Sequence, residues 1–169
     1  EMLRSLVGSE MCIRDSQRGD IMGKKNVYLA TEGSADNWEQ AITLCGEYMI
    51  SQGSVNKDFM EACIEREKEY PTGLPADIPV AIPHSKAAGI KENCVCFLRL
   101  DKPVRFYRMD DSEEYVDTQL VFNLAIKEAD DHLEFLQKLM QFVLDVDTLN
   151  KCSEIPLDEI PAFLEEELG

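Results

Sequence analysis

Apolar side chains recur along this chain with two different periods, and the change between them divides it. Asn26 to Ala30 (NVYLA) reads as a short first strand. Trp38, Ala41, Ile42, Cys45, Tyr48 and Met49 then recur at helical spacing, with Ser34 and Asp36 offering capping oxygens upstream and Gly53 stopping the turn. A second helix begins at Asn56, which can cap it; Val55 can pack on Met60 as a staple, and Phe59, Cys63 and Ile64 face inward. Arg66 lies on the flank of that stripe, near the helix end. YPTGLPADIP holds three prolines and a glycine in ten residues and is expected to be a loop, because proline fixes its own φ and supplies no backbone donor.

Past that loop the period shortens to that of strands. VAIPH reads as a short strand ended by its proline, CVCFLRL as a longer one, VRF after Lys102-Pro103 as a brief edge strand, and QLVFNLAI as a central strand apolar on both faces. Asp131 to Glu134 carries a D-x-x-E capping signature for an amphipathic helix through His132, Leu136, Leu139, Met140 and Val143. A short segment around Asp147 to Cys152 and a last helix, IPAFLEEEL, complete the pattern. Helices precede and follow a block of strands without internal repeat or linker, which predicts a single α/β domain, a mixed β-sheet sandwiched by helices, over residues 23–169. Residues 1–22 show no clean period, and SLVGSEMCIRDS resembles the translated read-through of a sequencing adapter; this segment is read as non-native or disordered.

Composition narrows the partners. A chain of 169 residues with 44 % hydrophobic content can fill one core. Seventeen basic against 33 acidic residues leave a net charge of −16, which argues against nucleic acid or an anionic membrane surface. The charge is uneven: Asp110 onward holds 17 acids and three bases, whereas Lys86 to Arg108 holds six bases and two acids, a basic strip within an acidic protein. No apolar run approaches the roughly 20 residues of a membrane helix, and the chain lacks a signal-peptide pattern, so a soluble, cytoplasmic protein is expected. Six cysteines without a CxxC spacing read as buried reduced thiols rather than a zinc or redox pair.

Three residues stand out chemically. Pro83 pushes Ile82 into the β region and ends the strand, so His84 is expected to be presented to solvent. A neutral imidazole, the majority form near pH 7 at a reference pKa of about 6.5, carries a lone pair that can attack phosphorus unaided; on the residues alone a surface-loop histidine without function is the favoured reading, because one His beside one Pro is a weak signal. Arg66 could grip two oxygens of a phosphoryl group in a fixed fork, or simply pair with Glu65 or Glu69, and Lys86 and Lys91 could add positive field or be ordinary surface charges. His132, in the first turn of its helix, could hydrogen-bond a phosphate or orient the other imidazole, or sit at the core edge. A two-histidine metal site with Asp130, Asp131 or Glu134 has little support, since carboxylates beside a cap are common.

The strings IEREKEYPTGLP, VAIPHS, KPVRF and DDHLEFLQKL, in this order and spacing, resemble the soluble EIIA component of the phosphoenolpyruvate-dependent sugar phosphotransferase system, fructose and mannitol superfamily, from about Val27 to Leu164. The YPTG loop and the VRF-x-x-x-D-D segment look most like the galactitol type. The resemblance implies that His84 accepts a phosphoryl group from phospho-HPr and passes it to a cysteine of EIIB, reaching the membrane component EIIC only through EIIB. It also implies that Arg66 steadies the group and that His132 is a second active-site histidine. No cofactor or metal is implied. A regulatory EIIA-like module, whose phosphorylation is sensed by a transcription factor or kinase, is the alternative.

Overall fold

The computed structural model describes residues 26–85 and 89–169; the N-terminal segment read as non-native or disordered, Cys12 within it, and Lys86 lie outside the described residues. Five strands form one sheet: β1 (Val27–Gly33), β2 (Gly73–Leu74), β3 (Val80–Ala81), β4 (Cys94–Tyr107) and β5 (Tyr115–Ala125), in the order β1-β4-β5-β3-β2. β4 runs antiparallel to β5 and β3 antiparallel to β2, while β1 pairs parallel with β4 and β3 parallel with β5. The sheet is therefore mixed, as expected, and β5 sits at its centre.

Alternation along the strands sorts side chains into two cores. Cys94, Cys96 and Leu98 of β4 and Val121 and Ala125 of β5 face helices α1 (Trp38–Ser51) and α2 (Lys57–Glu69), burying Ile42, Cys45, Met49, Phe59 and Cys63. Val95 and Phe97 of β4 and Leu120, Phe122 and Leu124 of β5 face the other way. They meet helices α3 (Ala129–Leu144), α4 (Val146–Glu154) and α5 (Ile160–Leu168) through Phe135, Leu139, Leu149, Ile160 and Leu164. Phe97 and Phe122 are cross-strand partners with ring centroids 5.1 Å apart, and each fully buried side chain of that size contributes about 1.5–3 kcal/mol. The five described cysteines are free and buried in these two layers.

Several elements differ from the sequence reading. The proline-rich loop contributes β2, because Pro71 and Pro75 flank the two paired residues and the strand lies at the sheet edge, where proline is tolerated. Gly73 admits no side chain there: a Cβ would lie 2.6 Å from the Tyr107 carbonyl oxygen. VRF is not a separate strand. β4 continues through Lys102-Pro103, and a register shift between Arg99 and Val104 absorbs the residues that cannot stay in the ladder. Asn37, rather than Ser34 or Asp36, caps α1 by accepting from Gln40 N at 2.9 Å, whereas Asn56 caps α2 as expected. α3 begins at Ala129 with Glu128 at its N-cap and no side-chain cap bond, so the D-x-x-E signature lies inside the helix.

The basic strip is largely neutralised by neighbouring strands and turns. Arg99 pairs with Glu32, Lys102 with Asp36, Arg105 with Asp117 and Arg108 with Asp110. Arg99 is also spent on the end of α4, donating to the Ile155 carbonyl at 2.8 Å and the Cys152 carbonyl at 3.2 Å.

Candidate functional site

The three singled-out residues come from three elements that meet where β3 ends. Pro83 cannot donate to a ladder, yet the chain stays beside β5: Leu124 N donates to the Pro83 carbonyl at 2.9 Å, and His84 bridges to Leu124 in parallel register. This prolonged pairing corrects the expectation of a solvent-presented ring, since His84 is half-buried. α3 completes the enclosure: the rings of His84 and His132 lie 5.0 Å apart, centroid to centroid, at 64°. His132 is the fourth residue of that helix, and its backbone N–H already donates to the Glu128 carbonyl at 2.9 Å. The imidazole, rather than the amide, is what this position offers to the site.

Arg66 arrives from the opposite layer, in the last turn of α2. Glu65 pairs with Lys68 and not with Arg66. The guanidinium instead stands over the Tyr70 ring, 5.1 Å from its centroid, and its Nε is buried without a hydrogen-bond partner. A buried donor without a partner is uncommon in a folded protein and marks this position chemically.

The state of the His84 ring follows from its surroundings. Nδ1 lies 2.8 Å from the Ile82 carbonyl oxygen, which can only accept, so Nδ1 carries the proton and Nε2 holds the lone pair. Burial pushes the His84 pKa down to about 4, the hydrogen bond to Ile82 opposes this, and the neighbouring His132 and Arg66 push it further down. The ring is thus neutral and nucleophilic throughout the physiological range.

Two residues that the sequence reading passed over stand behind this constellation. Glu67 is 4 % exposed and Thr72 is 3 % exposed. The Glu67 carboxyl group accepts from Thr72 N at 2.8 Å and from Thr72 Oγ1 at 2.9 Å. Burial raises its pKa to about 7 against the lowering effect of those bonds and of Arg66. The signal was present: Glu67 follows Phe59 and Cys63 at intervals of four, which places it on the buried stripe of α2 despite the charged run around it.

These two groups load stability with opposite signs. Between pH 4 and 6.5 the unfolded chain holds more protons on His84 than the native one, so that contribution is full above 6.5 and is lost as pH falls. Between pH 4.5 and 7 the native chain holds more on Glu67, so its contribution is lost as pH rises. The two offset each other from about pH 4.5 to 6.5. Glu67→Gln should remove one side, and urea midpoints should then fall by the equivalent of about 1–3 kcal/mol between pH 7 and pH 5. A variant with no steeper dependence than the parent protein would contradict these assignments.

Solved structures match this fold. The complex of enzyme IIAMtl and phosphorylated enzyme IIBMtl from Escherichia coli aligns with a TM-score of 0.65 at 23 % identity, covering 86 % of this chain and 97 % of that one. The nitrogen regulatory protein IIA-Ntr from Neisseria meningitidis aligns with a TM-score of 0.64 at 26 % identity, covering 81 % and 91 %. The fold is that of the enzyme IIA domains. Among curated relatives, the galactitol-specific EIIA component of the phosphotransferase system of Escherichia coli K12 is 26 % identical over 139 residues, 82 % of this chain and 92 % of its own length. The family model for the phosphoenolpyruvate-dependent sugar phosphotransferase system, EIIA 2, matches residues 21–166, and the chain belongs to that family.

Proposed function

We propose that this EIIA protein carries phosphate on Nε2 of His84, taking it from phospho-HPr and passing it to a cysteine of EIIB in the cytoplasm. The observation that carries this reading is the neutral His84 ring, with Nδ1–H held by the Ile82 carbonyl and the lone pair on Nε2, beside a guanidinium whose Nε has no partner. In the first step the Nε2 lone pair forms a bond to phosphorus while the bond from phosphorus to the HPr imidazole breaks, and the HPr nitrogen keeps that electron pair. The ring of His84 gains positive charge as this happens. The Ile82 carbonyl, accepting from Nδ1–H, steadies it. Arg66 engages the equatorial oxygens, and His132 orients or hydrogen-bonds the group from the other layer. In the second step the EIIB thiolate sulfur forms a bond to phosphorus while the bond from phosphorus to Nε2 breaks, and Nε2 recovers its lone pair. Nitrogen is already nucleophilic, so positioning supplies most of the acceleration.

The EIIB partner is supported by the solved complex of a IIA domain with its phosphorylated IIB, and galactitol-type membership by the Escherichia coli relative. The likeness to a nitrogen regulatory IIA protein favours a second reading, a module whose phosphorylation state is sensed by a regulator. Adjacent EIIB and EIIC genes would decide for transport, and an isolated locus for sensing. The chemistry common to both is tested with phosphoenolpyruvate, enzyme I and HPr. An acid-labile, base-stable phosphate should map to the peptide containing His84, and a phosphate mapped to any other residue overturns the assignment.

A further inference from the structure

We infer that Glu67 and Thr72 are positioning residues for His84: the buried carboxyl group, acting through Thr72, holds the backbone of Ile82 in place, and Ile82 fixes which ring nitrogen of His84 is bare. This deepens the phosphocarrier reading and rests on it for its consequence in transfer, though not for its geometry. Thr72 stands opposite Ile82, one step beyond the pairing of Gly73 with Ala81. Ladder bonding there is imperfect: Ile82 N reaches both the Thr72 carbonyl and Thr72 Oγ1 at 3.3 Å. A threonine free to turn would weaken that already long contact.

Glu67 prevents the turn. Its two oxygens take Thr72 N at 2.8 Å and Thr72 Oγ1 at 2.9 and 3.2 Å, so the hydroxyl hydrogen is committed to the carboxyl group and an oxygen lone pair faces Ile82 N. One residue of chain, Ile82, is then held at its N–H by Thr72 and presents its carbonyl to His84 Nδ1 at 2.8 Å. The connection runs from α2, which carries Arg66 and Glu67 side by side, across the edge strands to the reacting ring. A single helix turn thus sets both the guanidinium and, at one remove, the imidazole. Neither Glu67 nor Thr72 touches the phosphoryl site itself, and their effect passes through Ile82.

The test separates positioning from bulk structure by reading the ring directly. In 15N-labelled protein, long-range proton–nitrogen spectra should show His84 with Nδ1 protonated and Nε2 bare. In Glu67→Gln and Thr72→Val the two ring nitrogen shifts should move toward each other, as a mixture of tautomers appears, with transfer from phospho-HPr slowed about tenfold. Thr72→Ser keeps the hydroxyl and should restore the parent spectrum and a rate within about twofold of it. If Glu67→Gln does not fold, the Thr72→Val and Thr72→Ser pair carries the same comparison. A single, unchanged tautomer in folded Thr72→Val overturns the inference. A parent protein that takes no phosphate on His84 overturns the phosphocarrier reading instead, and the spectra still decide for Glu67 and Thr72.

Discussion

Replacing His84 with alanine is expected to reduce phosphate incorporation to background while the protein stays folded. The variant loses the imidazole whose Nδ1–H is held by the Ile82 carbonyl, the ring on which the proposed transfer depends. Its structural losses are modest: the ring contact with His132 and one hydrogen bond, from Nδ1 to the carbonyl of the buried Ile82, whose loss costs about 1–3 kcal/mol. His132 cannot substitute, because it lies on another element with its ring 5.0 Å away, and a donor docked to deliver phosphorus to His84 would not be in line with it. Label counted after incubation with phosphoenolpyruvate, enzyme I and HPr, alongside a thermal melt, checks both halves. Undiminished label in His84→Ala would be incompatible with the proposed relay.

Arg66→Ala should slow transfer from phospho-HPr by about 10²–10³-fold, the usual effect of deleting a preorganised donor aimed at developing charge. Stability should change by no more than about 1 kcal/mol, since the guanidinium has no ion pair among the described residues and its contact with the Tyr70 ring is of cation–π strength. Arg66→Lys should recover only part of the rate, because an ammonium supplies charge without the planar fork. Rapid-quench measurement of the phosphorylated fraction, with HPr in excess, isolates the step. Collapse of the melting transition in Arg66→Ala would mean that the residue serves the fold instead.

Much of the architecture was legible in the pattern of side chains. β5 could be placed at the sheet centre because QLVFNLAI is apolar on both faces, and only a strand covered by helices on both sides tolerates that. The starts of helices were read less well. Several capping residues within a few positions, such as Asp36 and Asn37, compete by backbone conformation, which composition does not reveal. Ends governed by long-range pairing were hidden altogether. Pro83 does stop backbone donation, but whether the next residue swings into solvent depends on β5, forty residues later, and Leu124 keeps His84 in register. Arg66, His84 and His132 were each identifiable by type and context. Glu67 was lost in a run of charges whose phase, read at intervals of four from Phe59, marks it as the one turned inward.

The proposed phosphate site draws Arg66 from the layer packed by α1 and α2, and His132 from the layer packed by α3, α4 and α5, with His84 at the rim of the sheet between them. Detachment of either layer takes the site apart even while the other layer stays docked. Phosphate-accepting capacity should therefore vanish at the first partial opening of the chain, ahead of global unfolding, and the phosphorylated form reports that both halves of the molecule are closed on the sheet.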